Sequence, residues 1–310
     1  VAERAAAPKW LPRQPKGAGD PSFALSIGAV ARLAVAEDVA RLIAHDPVAR
    51  QARDPEGVHQ ARVATRRLRS HLGTFLPILR TAPTERLRDE LRWLGRALGA
   101  VRDLDVLFLS LTDDFAVDAE ADAGAPDGTE LLALLDHERQ AATARLITQM
   151  QTSRYRRLLA DLGEQVASPP FRVAAGLPAE MFLDDALHIR FDALSLGILA
   201  LPTEPVDTEL HQIRILAKPT RYAAEMSAPI LGPVCVRFAK RLSEFADELG
   251  TLNDASNAIA WLAFAANVDG CAEAAGWVAG REAVRMAGVR ATWERKWAKV
   301  MTPARQMGWA

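Results

Sequence analysis

Between His59 and Arg69 the chain places four arginines and a histidine within eleven residues, in the stretch VHQARVATRRLR, with no acid among them. A guanidinium is planar and donates two parallel hydrogen bonds to a phosphate-like anion. Histidine donates from either ring nitrogen and gains charge beside an anion. On a helix turning about 100° per residue, His59, Arg62, Arg66 and Arg69 fall within an arc of roughly 80°. Ala61, Ala64, Leu68, Leu72 and Phe75 cluster nearly opposite, as a core face. Arg67 lies off the row, on its flank. Like charges at this spacing repel one another and cost helix stability unless an anion neutralises them. The chemistry suited to the row is capture of a multiply charged anion.

The pattern recurs. In LHQIRILAKPTR, 152 residues on, His211, Arg214, Lys218 and Arg221 stand where the first copy has His59, Arg62, Arg66 and Arg69. Ile213, Leu216, Ala223 and Ala224 lie toward the core of this second helix. Downstream, LGAVRDLD (98–105) aligns with LGTLNDAS (249–256), so Arg102 and Asp103 correspond to Asn253 and Asp254. A single charge row is usually a solvated face. Recurrence at the same phase, followed by a second matching block, argues instead for a duplicated site. Each motif aspartate is read as pairing with and orienting an arginine of its row. A metal at Asp103 and Asp105 is the competing reading, but aspartates at i and i+2 point to different helix faces. Gly99 and Gly250 are read as allowing close helix approach or mild distortion. The counterpart of Arg67 is Pro219, which removes a backbone hydrogen bond and predicts a bend between Lys218 and Arg221.

The elements that must position these residues are helices. Ala and Leu are abundant, aromatics make up 6% and no segment alternates as a strand. Helical spacing predicts stretches near 22–45, 57–81, 84–111, 129–166, 178–201, 207–228, 231–266 and 270–300. That is an all-α fold of two four-helix sets, with repeat halves about 22–166 and 178–301. Residues 1–21 are expected to be a Pro/Gly-rich linker and 302–310 a C-terminal tail. Residues 112–128, inside a stretch with seven acids and no bases (111–130), are expected to be a loop. Trp93 and Trp261 are expected in the core, and His45, His71, His137 and His188 are read as surface or core residues rather than ligands. Two facing rows, one per half, would make a cationic groove or channel.

The net charge of −1 speaks against a generally basic nucleic-acid binder, although the acidic stretch masks positive charge elsewhere. Two cysteines, Cys235 and Cys271, exclude a disulfide framework and fit a reducing, cytoplasmic setting. No apolar run is long enough to span a bilayer. There is no nucleophile elbow, HExxH or phosphate-cradling glycine loop, so no catalytic residue, metal or cofactor is assigned.

The blocks EGVHQARVATRRLRSHLGTFLPIL, LRWLGRALGAVRDLDVL, LHQIRILAKPTRYAAE and LGTLNDASNAIAWL resemble, in order, the signature blocks of CHAD domains, the conserved-histidine α-helical domains. The resemblance spans nearly all of 22–301. It implies two four-helix bundles related by pseudo-twofold symmetry around a basic central channel, binding of inorganic polyphosphate, and association with polyphosphate granules. It implies ligand contacts from His59, Arg62, Arg66, Arg67 and Arg69, and from His211, Arg214, Lys218 and Arg221. Arg102, Asp103, Tyr222, Asn253 and Asp254 take supporting places. Pro219 departs from the family pattern, which commonly has a basic residue or another good helix former there. Many members follow a CYTH triphosphatase-type domain, so a catalytic partner segment is expected to precede this one. The expected function is a polyphosphate-binding module and not an enzyme. The alternatives are a metal-dependent phosphohydrolase or phosphotransferase acting on polyphosphate or nucleotides, and a nucleic-acid binder. Scarce aromatics near the rows disfavour base stacking.

Overall fold

Aspartate 54 shows how closely local sequence dictates local structure. Its carboxylate accepts a 2.8 Å hydrogen bond from the Glu56 backbone N–H, and Pro55 occupies the first helical position. The helix so started is α2 (Pro55–Thr74), and it follows α1 (Ile27–Gln51). The remaining helices are α3 (Thr81–Glu120), α4 (Thr129–Met150), α5 (Ser153–Ala167), α6 (Ala179–Leu199), α7 (Asp207–Leu231), α8 (Pro233–Ala265), α9 (Ala272–Arg290) and α10 (Trp293–Gln306). This computed structural model describes residues 25–51, 54–120 and 126–309. The expected linker 1–21 lies outside the described residues. Among those described there are no strands, only two isolated bridges, Ser26 to Pro178 and Leu79 to Phe171. No described helix is long and apolar enough to cross a membrane.

The chain forms two compact units, each discontinuous in sequence. Among the described residues, unit one takes those within 1–99, 145–189 and 222–233, and unit two those within 100–144, 190–221 and 234–310. Helices α3, α4, α6 and α7 therefore contribute to both, and the units cut across the two sequence halves. In unit one, Val39 and Leu42 of α1, Leu68 and Leu72 of α2, Leu91 of α3 and Leu158 of α5 are buried. In unit two, Leu107 and Leu111 of α3, Leu131 and Leu135 of α4, Leu262 of α8 and Val278 of α9 form one apolar cluster.

Four expectations about the elements change. The stretch 129–166 is two helices, because Thr152 ends one and caps the next, its side chain accepting from the Tyr155 N–H. The stretch 270–300 breaks at Ala291 and Thr292. Helix α3 runs on to Glu120, through nine residues expected to be loop. Acid content misleads there: Leu107, Leu111 and Phe115 keep helical spacing and join the unit-two core, and Phe115 stacks on Trp277 at 5.2 Å. Finally, α10 continues to Gln306, and Trp309 packs against Phe191 and Phe238, so most of the expected tail is structured.

Candidate anion-binding site

The core face read from the wheel is buried: Ala61, Ala64, Leu68, Leu72 and Phe75 are all 1% exposed or less. That fixes the rotation of α2 and leaves His59, Arg62, Arg66 and Arg69 on a half-buried face. The surroundings of Arg69 define this part of the site. Burial, and after it the charges of Arg92, Arg88, Arg66 and Arg96, hold its pKa below the ordinary arginine value. Arg88, Arg92 and Arg96 stand four residues apart on α3 and were not among the residues expected. Their spacing in LRDELRWLGR carries the signal. The stretch hides it by interleaving acids: Arg88 pairs with Glu85 at 2.6 Å and Arg92 with Asp89.

Arg67 is differently placed. Its guanidinium lies 3.3 Å from Asp38 and 2.7 Å from Glu225. It also sits 5.5 Å from the centre of the buried Tyr222 ring, with Arg66 on the same ring at 5.9 Å. His71 Nδ1 approaches Asp38 at 2.8 Å, and His71 is a core residue at 2% exposure. The flanking arginine is thus built into the packing of unit one, and Tyr222 is a platform for two cations.

The second row lies in unit two. His211 Nδ1 is 2.6 Å from Asn253 Oδ1. An amide oxygen only accepts, so His211 Nδ1 donates to it. Asn253 Nδ2 donates to Asp254 at 3.2 Å, and Asp254 faces Arg214 at 4.0 Å. The motif pair Asn253–Asp254 thus contacts the histidine and the first arginine of its row. Arg221 pairs with Asp247 at 2.9 Å, and Lys218 is half-buried. A cleft of about 200 Å³ beside His211 is lined by Thr208, Asn253 and Asn257. Helix α7 continues through Pro219.

Of the remaining motif positions, Asp103 is exposed, Arg102 is half-buried, and Asp105 is 4% exposed with Arg139 at 3.5 Å. Burial raises the Asp105 carboxyl above its usual range. Among the described residues no group of three or more His, Cys, Asp or Glu side chains is arranged to hold a metal ion. The two motif glycines do not mark close approach as expected. A Cβ on Gly99 would meet the Arg62 guanidinium at an ordinary 3.8 Å, and one on Gly250 would meet nothing within 4 Å. Trp93 and Trp261 are both half-buried: Arg154 lies 4.3 Å over the Trp93 ring, while Trp261 packs against the unit-two core cluster and its Nε1 donates to Glu138.

Comparison with known proteins places this geometry. The CHAD domain family model matches residues 33–263. Two uncharacterized Mycobacterium tuberculosis proteins, MT2285 and Rv2226, are each 31% identical over 229 residues, 71% of this chain. The chain spans only 42% of the length of either relative in that match. Among solved structures, the CHAD domain of the plant Ricinus communis is 25% identical, with a TM-score of 0.74 over 92% of this chain and 97% of that one. PptA from Streptomyces chartreusis, at 23% identity, shares the fold with a TM-score of 0.71 over 88% of this chain and 100% of that one.

Proposed function

The chain belongs to the CHAD domain family, and from that premise we propose that it is a binding module for inorganic polyphosphate, not an enzyme, with both basic rows holding the same polyanion. The observation that carries the reading is the row itself: His59, Arg62, Arg66 and Arg69 share the half-buried face of α2 opposite its buried core face, and burial with the charges of Arg92, Arg88, Arg66 and Arg96 lowers the Arg69 pKa. Like charge so arranged, offset only in part by Glu85 and Asp89, is relieved by a ligand with a negative charge on every repeat unit. The Asn253-oriented His211, with Arg214, Lys218 and Arg221, supplies a second set of donors. Polyphosphate suits donors set out in rows, since successive phosphates present equivalent oxygens and no bases need recognition. Association with polyphosphate granules and with a catalytic domain such as CYTH belongs to the same proposal.

The test is a titration of long-chain polyphosphate, single-stranded RNA and duplex DNA against the protein at several salt concentrations. Polyphosphate should bind tightest, and its affinity should fall linearly on a log–log salt plot, as counterion release requires. RNA or DNA binding equally tightly would overturn the reading. Phosphate release from polyphosphate in the presence of magnesium or manganese would turn it into that of a hydrolase.

A further inference from the structure

The second row ends at Arg221, but the positive charge of unit two does not end with it. Asp254 of α8 faces Arg214, and Asp247 pairs with Arg221 at 2.9 Å, so α8 runs antiparallel to α7 along the row. Lys240 stands seven residues before Asp247. On the helix it is turned from Asp247 by about 20° and lies about 10 Å nearer the start of α8. It is the next cation beyond Arg221 in the direction of the row.

Around Lys240, α8 and α10 lie side by side within unit two. Arg237 donates to Gln306 at 2.9 Å at one end of the contact, and Lys296 approaches Glu248 at 3.7 Å at the other. Between these ties Phe245 packs on Trp297 at 5.4 Å. On α10, Lys296, Lys299 and Gln306 fall within an arc of roughly 80°, so Lys299 lies on the side that meets Arg237. The flank thus carries Arg237, Lys240 and Arg241 of α8 with Lys296 and Lys299 of α10, five cations against the two carboxylates of Glu244 and Glu248. Glu244 registers the excess. A hydrogen bond from Arg241, and then the charges of Arg241, Lys240 and Lys296, hold its carboxyl below the usual range. Packing does not account for these cations, since Lys240 and Lys299 are exposed and aromatic rings make the helix contact. No motif of the repeat marks them, and α10 lies beyond the part of the chain that the family model matches.

We propose that the cationic track of the second row continues past Arg221 onto this α8–α10 flank, where Lys240, Arg241, Lys296 and Lys299 hold the outgoing stretch of a long polyphosphate chain. The extension rests on the polyphosphate reading above. Lysine suits it, because a point charge on a flexible stem follows a mobile polyanion without fixing its register. A ligand too short to pass Arg221 gains nothing from the flank, whereas a long one meets it at high effective concentration.

Titration of the full chain with long-chain polyphosphate and with tripolyphosphate, at several salt concentrations, tests the extension. Three proteins are compared: the parent, Lys240→Ala with Lys299→Ala, and a control losing the same charge elsewhere, Arg156→Ala with Arg305→Ala. All four residues are exposed. The lysine variant should bind long-chain polyphosphate about fivefold more weakly than the control variant, with a salt slope lower by about 1–2. Its tripolyphosphate affinity should stay within about twofold of the control's. Equal long-chain affinity and slope in the two variants would overturn the extension and leave the polyphosphate reading standing. A tripolyphosphate loss as large as the long-chain loss would place the lysines in the row itself and overturn it too. A parent that binds no polyphosphate would overturn the reading and the extension together.

Discussion

Arg67 and Arg69 stand two residues apart on α2 in opposite electrostatic surroundings. Arg67 meets two carboxylates, Asp38 and Glu225, of which Asp38 is 3% exposed. Arg69 is half-buried, and burial together with the charges of four nearby arginines holds its pKa down. Truncating Arg67 leaves Asp38 with His71 as its remaining close partner, so Arg67→Ala should cost about 1–3 kcal/mol of folding stability. Truncating Arg69 relieves repulsion, so Arg69→Ala should leave stability within about 0.5 kcal/mol of the parent, or raise it. Their effects on polyphosphate should run the other way. Loss of Arg69 removes a charge-assisted contact and should weaken binding about tenfold or more, while Arg67→Ala should change affinity less than its stability loss suggests. Urea melts alongside a binding titration separate the two. If Arg69→Ala destabilised the protein as much as Arg67→Ala, the like-charge account of Arg69 would be wrong.

At the scale of the helix, close approach and propensity pull glycines in opposite directions. A Cβ at Gly57, in the first turn of α2, would lie 2.6 Å from the Val48 side chain and 2.8 Å from the Ala49 backbone nitrogen of α1. Gly57→Ala should therefore destabilise by about 1–3 kcal/mol. Gly250, inside α8, has open space around its missing Cβ, and Gly250→Ala should stabilise by about 0.5–1 kcal/mol. Both are read from the urea midpoint at constant slope. The repeat singles out Gly99 and Gly250, while the tight contact is at Gly57, which no motif marks. Period and phase were legible: the buried face of α2 and the half-buried cationic face opposite it both follow from spacing. Helix ends were less so. The break at Thr152 rests on one side-chain cap within an otherwise helical pattern. The extension of α3 rests on Leu111 and Phe115 finding a core, and on buried Asp114 finding Arg281 and Arg285. Neither long-range partner is visible from the local acid count. The α3 arginines escaped notice because Glu85 and Asp89 lower the local net charge.

At the scale of the molecule, similarity along the chain and compactness in space divide it differently. The repeat separates first half from second, whereas the compact units exchange segments of α3, α4, α6 and α7. Alignment reports how a segment is built, and packing depends on where long helices run after their motif ends. The basic rows nevertheless fall cleanly, the first in unit one and the second in unit two. If both rows hold one polyanion, binding carries an effective-concentration advantage that depends on ligand length. Tripolyphosphate, engaging one row, should bind far more weakly than long-chain polyphosphate. Affinity per chain should climb with length and then level off once a single chain serves both rows. Replacing Arg214 and Lys218 by alanine should flatten that climb, lowering long-chain affinity by about 10²-fold while leaving tripolyphosphate binding at the Arg69 cluster within about threefold. It should also reduce the salt slope by about 1–2, one unit or slightly less per phosphate contact removed. Two independent sites would give a different pattern: the same length dependence before and after the substitution, with only the stoichiometry halved.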